Sequence, residues 1–406
     1  MPAPGYGHKG FIQLGKETVY GTAVTTTVKL ELIDEKLKLN RVKIDDQSLT
    51  GNLSRRAPYE GPRWITGSFI VRANFEGMLE IFRGVFGSFT APAPFDTPAR
   101  DQTFKEFLTL PSYTLEVNKG DIPAGKCFRY LGCKFISLNV KGVAGTGTDA
   151  IVTFEVGVIG QDMLSNQTPA SLSFPATFPV KFDHDVFVDD GTTDVPPNVR
   201  IRNFEIMFDN PHTAEERLYM GSLLIDEPLR KDWLACTWKF TEEFFTRTAY
   251  DAYKAGTLLG PRIIFRHPTF LVSRNSALVT VNAGTTITRA AGSFVADGWQ
   301  VGDSFDPTAP AAPFIPTGAY VTNVVALTLT VDLTCTSSGG TTTIAGGACR
   351  EIELRSNFAT LTTDPLPGVN GFGSLIANLE MVASRDDATD LAALVGRIRS
   401  SEAALT

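Results

Sequence analysis

The chain is poor in the residues that enzymes use. It has four histidines, His8, His184, His212 and His267, scattered with no spaced pair of the HExxH kind, so catalysis by a histidine-held metal is not expected. Asp183-His184-Asp185 is the densest local cluster, but consecutive side chains on a strand point to opposite faces, and the stretch reads as a surface loop. Five cysteines make no disulfide framework, and the odd number leaves at least one thiol unpaired in a monomer, which fits a reducing compartment. Cys127 and Cys133 lack the companion ligands of a zinc site and read as buried thiols. No nucleophile elbow, phosphate loop or dinucleotide fingerprint occurs, and Gly145-Thr146-Gly147 sits inside a hairpin rather than ahead of a helix. The reading is a chain that is not an enzyme, with no cofactor and no metal.

Positive charge is scarce as well. The net charge is -7 and the pI about 5.3, whereas proteins that grip phosphates concentrate Lys and Arg. The opening MPAPGYGHKGF lacks the basic and apolar regions of a secretion signal, and no apolar run approaches a membrane span. A soluble protein made in the cytosol, with no membrane contact, is the expectation.

What is present is apolar residue at 43% and charge at 20%, ordinary for a packed protein, over a length of 406 that suits two to three domains. Gly 36, Pro 24 and many Thr runs tilt the class toward mainly β. One stretch is written twice. Leu49 to Gly87 and Leu218 to Gly260 both carry a strand reaching a glycine (Gly51, Gly221), a charged loop with a proline (Pro58, Pro228), a tryptophan opening a strand (Trp64, Trp233) and a short helix. The offset stays near about 170 positions, and a long internal repeat decides architecture.

Taken in order, residues 1–28 read as an extended N-terminal arm. A first unit, 29–165, begins with the alternation of KLELIDEKLKL and continues through GSFIVRAN. Asn74 is placed to cap a helix with Phe75, Met78, Leu79, Phe82 and Phe86 on one face and Gly87 as its stop. SYTLEVNKG and the hairpin FRYLGCKFISLNVKG to DAIVTFEVGVIGQDM complete the unit. The Ser/Thr/Pro-rich stretch 166–184 is a linker. A second unit spans 185–270 and 349–406. In it Thr248 and Asp251 have capping-box spacing, Tyr250 and Tyr253 should pack inward, and Leu391, Leu394, Val395 and Ile398 suggest a terminal helix. Residues 271–348, rich in Thr, Val, Ala and Gly, read as an inserted small all-β domain.

Arg55, Arg56 and Arg63 make the first loop basic, while Asp226, Glu227 and Asp232, beside Arg230 and Lys231, make the second largely acidic. Loops of opposite sign at repeated positions are candidates for inter-ring or inter-subunit contact, because complementary potentials fix register.

The opening ETVYGTA, the SLTG element with its charged loop and WITGSF, the glycine-ended helix and RYLGCKFISLNV together resemble the tail tube protein, or major tail protein, of long-tailed bacteriophages. The stretch TITRAAGSFVADGWQVGD is similar to β modules that decorate such proteins. The resemblance implies β-sandwich or barrel units, each with a flanking short helix, assembled as rings that stack into the channel for genome delivery. Members with one unit form hexamers and members with two fused units form trimers with pseudo-sixfold symmetry, so the repeat implies a trimer. Implied partners are further copies of the chain, the tail tape measure and tail terminator proteins, and viral DNA passing through the lumen without specific binding. The implied location is the virion tail, assembled in the host cytoplasm. The alternative is a tail-tip or surface β-sandwich adhesin that binds host glycans.

Overall fold

The computed structural model describes residues 7–401 apart from 47–56, 91–92, 97–98, 121–124, 146–149, 177, 182–185, 190–200, 245–246, 302, 306–308, 312, 316–318, 320, 368–375 and 386–391. The chain is mainly β. Its first half runs β1 (Phe11–Lys16), β2 (Val28–Leu30), β3 (Leu32–Glu35), β4 (Lys38–Ile44), β5 (Tyr59–Arg72), α1 (Leu79–Phe86), β6 (Gly87–Phe89), β7 (Ala93–Asp96), β8 (Ala99–Glu106), β9 (Tyr113–Asn118), β10 (Cys127–Val143), β11 (Thr153–Gly160) and β12 (Asp162–Gln167).

Two antiparallel sheets share β10. Its first part pairs with β9 and β12, and β9 pairs with β1. Its second part pairs with β11, which pairs with β5, which takes β3 and β4 on its other side. The switch lies at Gly132, where φ is +64 and a Cβ would come within 2.9 Å of the Tyr20 ring. Only glycine suits a strand that must turn so sharply with no room beside it.

Helix α1 fills the space between the sheets, as its apolar spacing predicts. All eight of its residues are buried, and Phe82 packs on Phe86, Phe104 and Phe154. The polar groups that it carries inside have partners: the Tyr113 hydroxyl donates to Glu80 at 2.8 Å, and Arg83 pairs with Glu80 at 3.7 Å. Gly87 ends the helix at φ 85, with its N–H on the Arg83 carbonyl. Asn74 does not cap it. The helix starts five residues later, and the Asn74 amide instead bonds the Glu76 and Ala176 carbonyls and the Phe178 N–H.

Those bonds also fasten the expected linker. Asn74 bridges Pro179, and the Val180 N–H donates to the Ala73 carbonyl, so part of 166–184 is docked on the first half. The described part of the expected arm is likewise not an arm. Ile12 and Leu14 of β1 are fully buried between β2 and β9, because a strand with two large apolar side chains gains more inside a sheet than in water.

The second half runs β13 (Val186–Asp189), β14 (Ile201–Asp209), β15 (His212–Thr213), β16 (Leu229–Arg230), β17 (Ala235–Glu243), α2 (Thr248–Ala255), β18 (Arg262–Val281), β19 (Gly284–Arg289), β20 (Ser304–Phe305), β21 (Val321–Val325), β22 (Thr328–Cys335), β23 (Thr342–Arg355), β24 (Ala359–Leu361), β25 (Ile376–Ala383) and β26 (Val395–Ser400). Its pairings follow the order of the first half. β13 lies on β18 as β1 lies on β9, β26 on β23 as β12 on β10, and β25 on β17 as β11 on β5. Helix α2 ends at Gly256, φ 65, also left-handed.

Several local expectations fail here. Arg247, not Thr248, is the cap residue of α2 and no side chain caps the helix. Ala249 and Ala252 touch the core instead of Tyr250 and Tyr253, and Tyr253 is exposed. The two tryptophans are not equivalent: Trp64 lies within β5 and is half-buried, while Trp233 precedes β17 and is 91% exposed. Residues 395–400 form a strand rather than a terminal helix. β26 enters between β23 and β8, where Arg397 and Arg399 alternate onto one face to meet Glu351, Glu353 and Asp101, and this period of two overrides the helical spacing of the apolar residues. Leu391 lies outside the described residues.

Two seams join the halves. β10 pairs with β14 from Ser137↔Asp209 to Val143↔Asn203, and β8 pairs with β26 from Val395↔Lys105 to Ser400↔Arg100. The result is one 13-stranded and one 11-stranded sheet around a shared core. A second core, built on Trp299, Phe294, Ile287 and Ile344, belongs to residues from the end of β18 to the start of β23. These two strands stay paired from Arg262↔Arg355 to Val279↔Thr342, so one ladder carries the 11-stranded sheet on into that part, where β19, β22 and β21 extend it.

Candidate functional site

The edges and ends of the 13-stranded sheet are where this chain can act, since its interior is filled with side chains. The run β4–β5–β11–β10–β14–β17–β25–β24 is continuous. β4 and β3 border it at one side, where Ile33, Val42 and Ile44 are exposed apolar residues. At the other side β24 stops at Leu361, although its partner β25 reaches back to Ile376. Edges left unpaired among the described residues, as these are, are hazards for a monomer and joining surfaces in an assembly.

The face of this sheet away from the core carries two matched charge pairs on its central strands. Lys141 reaches Glu205 at 3.1 Å across the β10–β14 seam, and Lys239 reaches Glu380 at 3.5 Å. Partial burial raises the Glu205 carboxyl, yet hydrogen bonds from Asn139 and Lys141 outweigh it and hold the group below the usual carboxylate range. At these two places the face is charged but locally neutral.

At one end of the sheet the loop from β14 to β17 folds back over the first half. The Arg63 N–H donates to the Leu223 carbonyl at 2.9 Å, and the Gln161 amide donates to the Ile225 carbonyl at 2.9 Å. Ile225 is buried against Ile159 and Ala214, with Trp64 and Ile136 beside them. Lys134, 2% exposed, donates to the Pro228 carbonyl and pairs with Glu227 at 2.7 Å. A buried ammonium is tolerable only with such partners.

The sequence-picked charges are mostly spent inside the chain. Arg63 pairs with Asp162 at 2.9 Å, Asp226 with Arg217 at 2.7 Å, and Glu227 with Lys134. Arg230 donates to the Asn210 side chain and the Phe107 carbonyl, and Asp232 accepts the Trp233 N–H. Lys231 is exposed, with its backbone N–H on the Pro211 carbonyl. Arg55 and Arg56 lie outside the described residues. The structure thus brings Arg63 to the second loop, but within one chain.

Sequence reasoning passed over what the loop leaves outside. Tyr219, Met220, Leu223, Leu229 and Trp233 are exposed, and Met220 is fully so. Met220-Gly221 form the corner of a tight turn, Gly221 at φ 88, closed by the Ser222 N–H on the Tyr219 carbonyl. Arg217 stacks on the Tyr219 ring and donates to its hydroxyl, so the tip is held in shape. The available signal was five large apolar residues in the short stretch LYMGSLL, which a turn has no need of.

The five cysteines are buried and free. Burial pushes the Cys127 thiol up to about 11 and the Cys236 thiol up to about 12, so neither offers a reactive thiolate at neutral pH.

A family model described as phage tail tube protein matches residues 7–335, most of the chain. The chain belongs to the phage tail tube protein family. No curated protein matches it. As a tail tube protein it is a structural component of the virion tail that assembles with copies of itself into a tube. The match takes in both seam strands β10 and β14 and the loop between β14 and β17, and stops at the end of β22. No helix among the described residues is long and apolar enough to cross a membrane.

Proposed function

We propose that this tail tube protein forms rings of three chains, each chain supplying two neighbouring staves, and that stacked rings make the channel for genome delivery. The supporting observation is the β10–β14 seam. β14 occupies in the second half the place that β3 and β4 occupy in the first, lying on β17 as they lie on β5. β24 stands to β25 as β10 stands to β11. The seam therefore joins the closing side of one unit to the opening side of the next inside one chain, and the unused counterparts are the β24 side and the β3–β4 side. Repeating the same joint between chains closes a ring, and closure removes both edges. Two units per chain times three chains gives six.

On this reading residues 29–165 form the first unit together with β1 and β2, residues 185–270 and 349–406 form the second, and 271–348 are a module carried outside the wall. The pair-neutralised sheet face looks into the lumen, where unpaired cations would hold DNA and the overall charge of -7 opposes binding. Further tail proteins that cap or measure the tube would dock on its end rings. The test is native mass spectrometry of the purified protein with electron microscopy of the same sample. Rings at three times the chain mass that stack into tubes are expected; six-chain rings would overturn the trimer, and persistent monomers that never form tubes would overturn the reading as a whole.

A further inference from the structure

A tube is an open stack, so each ring must present two different ends that fit one another, the head-to-tail contact that generates filaments. Within this chain the 13-stranded sheet has such a pair of ends. At the end where β5 begins stands the loop tip just described, with Met220 at its corner and Tyr219 clamped by Arg217. At the end where β5 finishes, about 30 Å away by strand rise over Arg63 to Arg72, there is a cavity of about 500 Å³. Its lining includes Ile33, Gly142, Val143 and Ile151, with Arg72 and Lys141 as its cations. Both of those are already paired, Arg72 with Glu31 and Lys141 with Glu205, which leaves the apolar surface to do the receiving.

We infer that the Met220 tip of one copy seats in the Ile33–Val143–Ile151 cavity of a copy in the next ring, and that this contact sets the stacking. It rests on the tube reading above. The occupant is a second copy of this chain because a stack offers each cavity the opposite end of an identical ring. The chemistry agrees on both sides. Methionine is unbranched and fits irregular apolar hollows, and the volume admits it with its tyrosine neighbour. The tip's turn is closed by its own hydrogen bonds before any partner arrives, so little ordering is left to oppose binding. Of the charges that the sequence suggested for this role, Arg63, Asp226, Glu227 and Arg230 are held in cis, and what the tip itself presents is apolar.

The test uses the full chain. Met220→Asp changes a fully exposed side chain, so rings of unaltered mass are expected, while the concentration needed for tube growth should rise about tenfold or more, since a carboxylate must then enter an apolar hollow. Val143→Asp, at the cavity, should do the same. The double variant Met220→Cys with Val143→Cys should, under mild oxidation of assembled tubes, give reducible ladders of chain multiples; the native thiols are all buried. Unchanged growth of the Asp variants together with no 220–143 cross-link would overturn the contact while leaving rings and tubes intact. If the unaltered protein forms no rings or tubes, the tube reading fails and this contact fails with it. Loss of the ring mass in Met220→Asp would also count against it, because the residue would then act within the ring.

Discussion

Glu351 shows what single side chains do at the seam between β8 and β26. It is 2% exposed and lies among Arg266, Arg397 and Arg399, with Glu353 pairing to Arg262 and Arg397 on the same face. Burial alone would raise its carboxyl, but the three guanidinium groups overcome this and hold it well below the ordinary range. A carboxylate depressed on folding contributes stability that is present above its unfolded value of 4.5 and lost as pH falls toward the folded value. Acid titration of urea stability should therefore fall off below that point. Glu351→Gln should flatten this limb and, by leaving buried cations short of a partner, cost about 3 kcal/mol at neutral pH. Lys134 offers a second residue-scale check. Lys134→Ala should lower stability by about 2 kcal/mol, read as a shifted urea midpoint, and should speed chymotrypsin cleavage in the loop that carries Tyr219.

At the scale of elements, periodicity was readable wherever one face was apolar and the other polar. The hairpin of β10 and β11 and the burial of α1 follow from spacing in FRYLGCKFISLNVKG and from Phe75 to Phe86. It failed where both faces are covered. In β26 Ile398 faces the core while Arg397 and Arg399, on the other face, are matched by acids from other strands, and only those distant acids make a strand preferable. The charged loop misled for the same reason, because Asp162 and Lys134 lie far from it in sequence yet take up Arg63 and Glu227. Gly396 tests the β26 assignment. A Cβ there would sit 2.9 Å from the Phe82 ring of α1, so Gly396→Ala should destabilise by about 1–3 kcal/mol in thermal unfolding, whereas glycine to alanine in an exposed helix would stabilise.

For the whole molecule, two cores with different owners predict separable roles. The Trp299 core is built from residues between the end of β18 and the start of β23, and the larger core from both halves of the chain. Replacing residues 277–343 by a two-residue turn would rejoin β18 and β23 beside Ser276↔Ile344 in their existing register. The shortened chain is expected to fold and to give rings of the same copy number, seen as a ring mass reduced in proportion. Failure to fold would mean that the outer part is required by the wall.

The twenty residues of β18 bear on how that outer part behaves. A bead on a flexible tether would swing freely and transmit nothing. Here the support is a two-ply beam of continuous hydrogen bonds whose irregularities are confined to a few places, Arg266 to Val272 and Ser276 to Val279. A load applied at its far end would travel down the beam as shear and arrive at β26, which is paired directly with β8. In the proposed ring, the part carried at the end of β18 and β23 would thus be mechanically geared to the joint between the two halves of the chain.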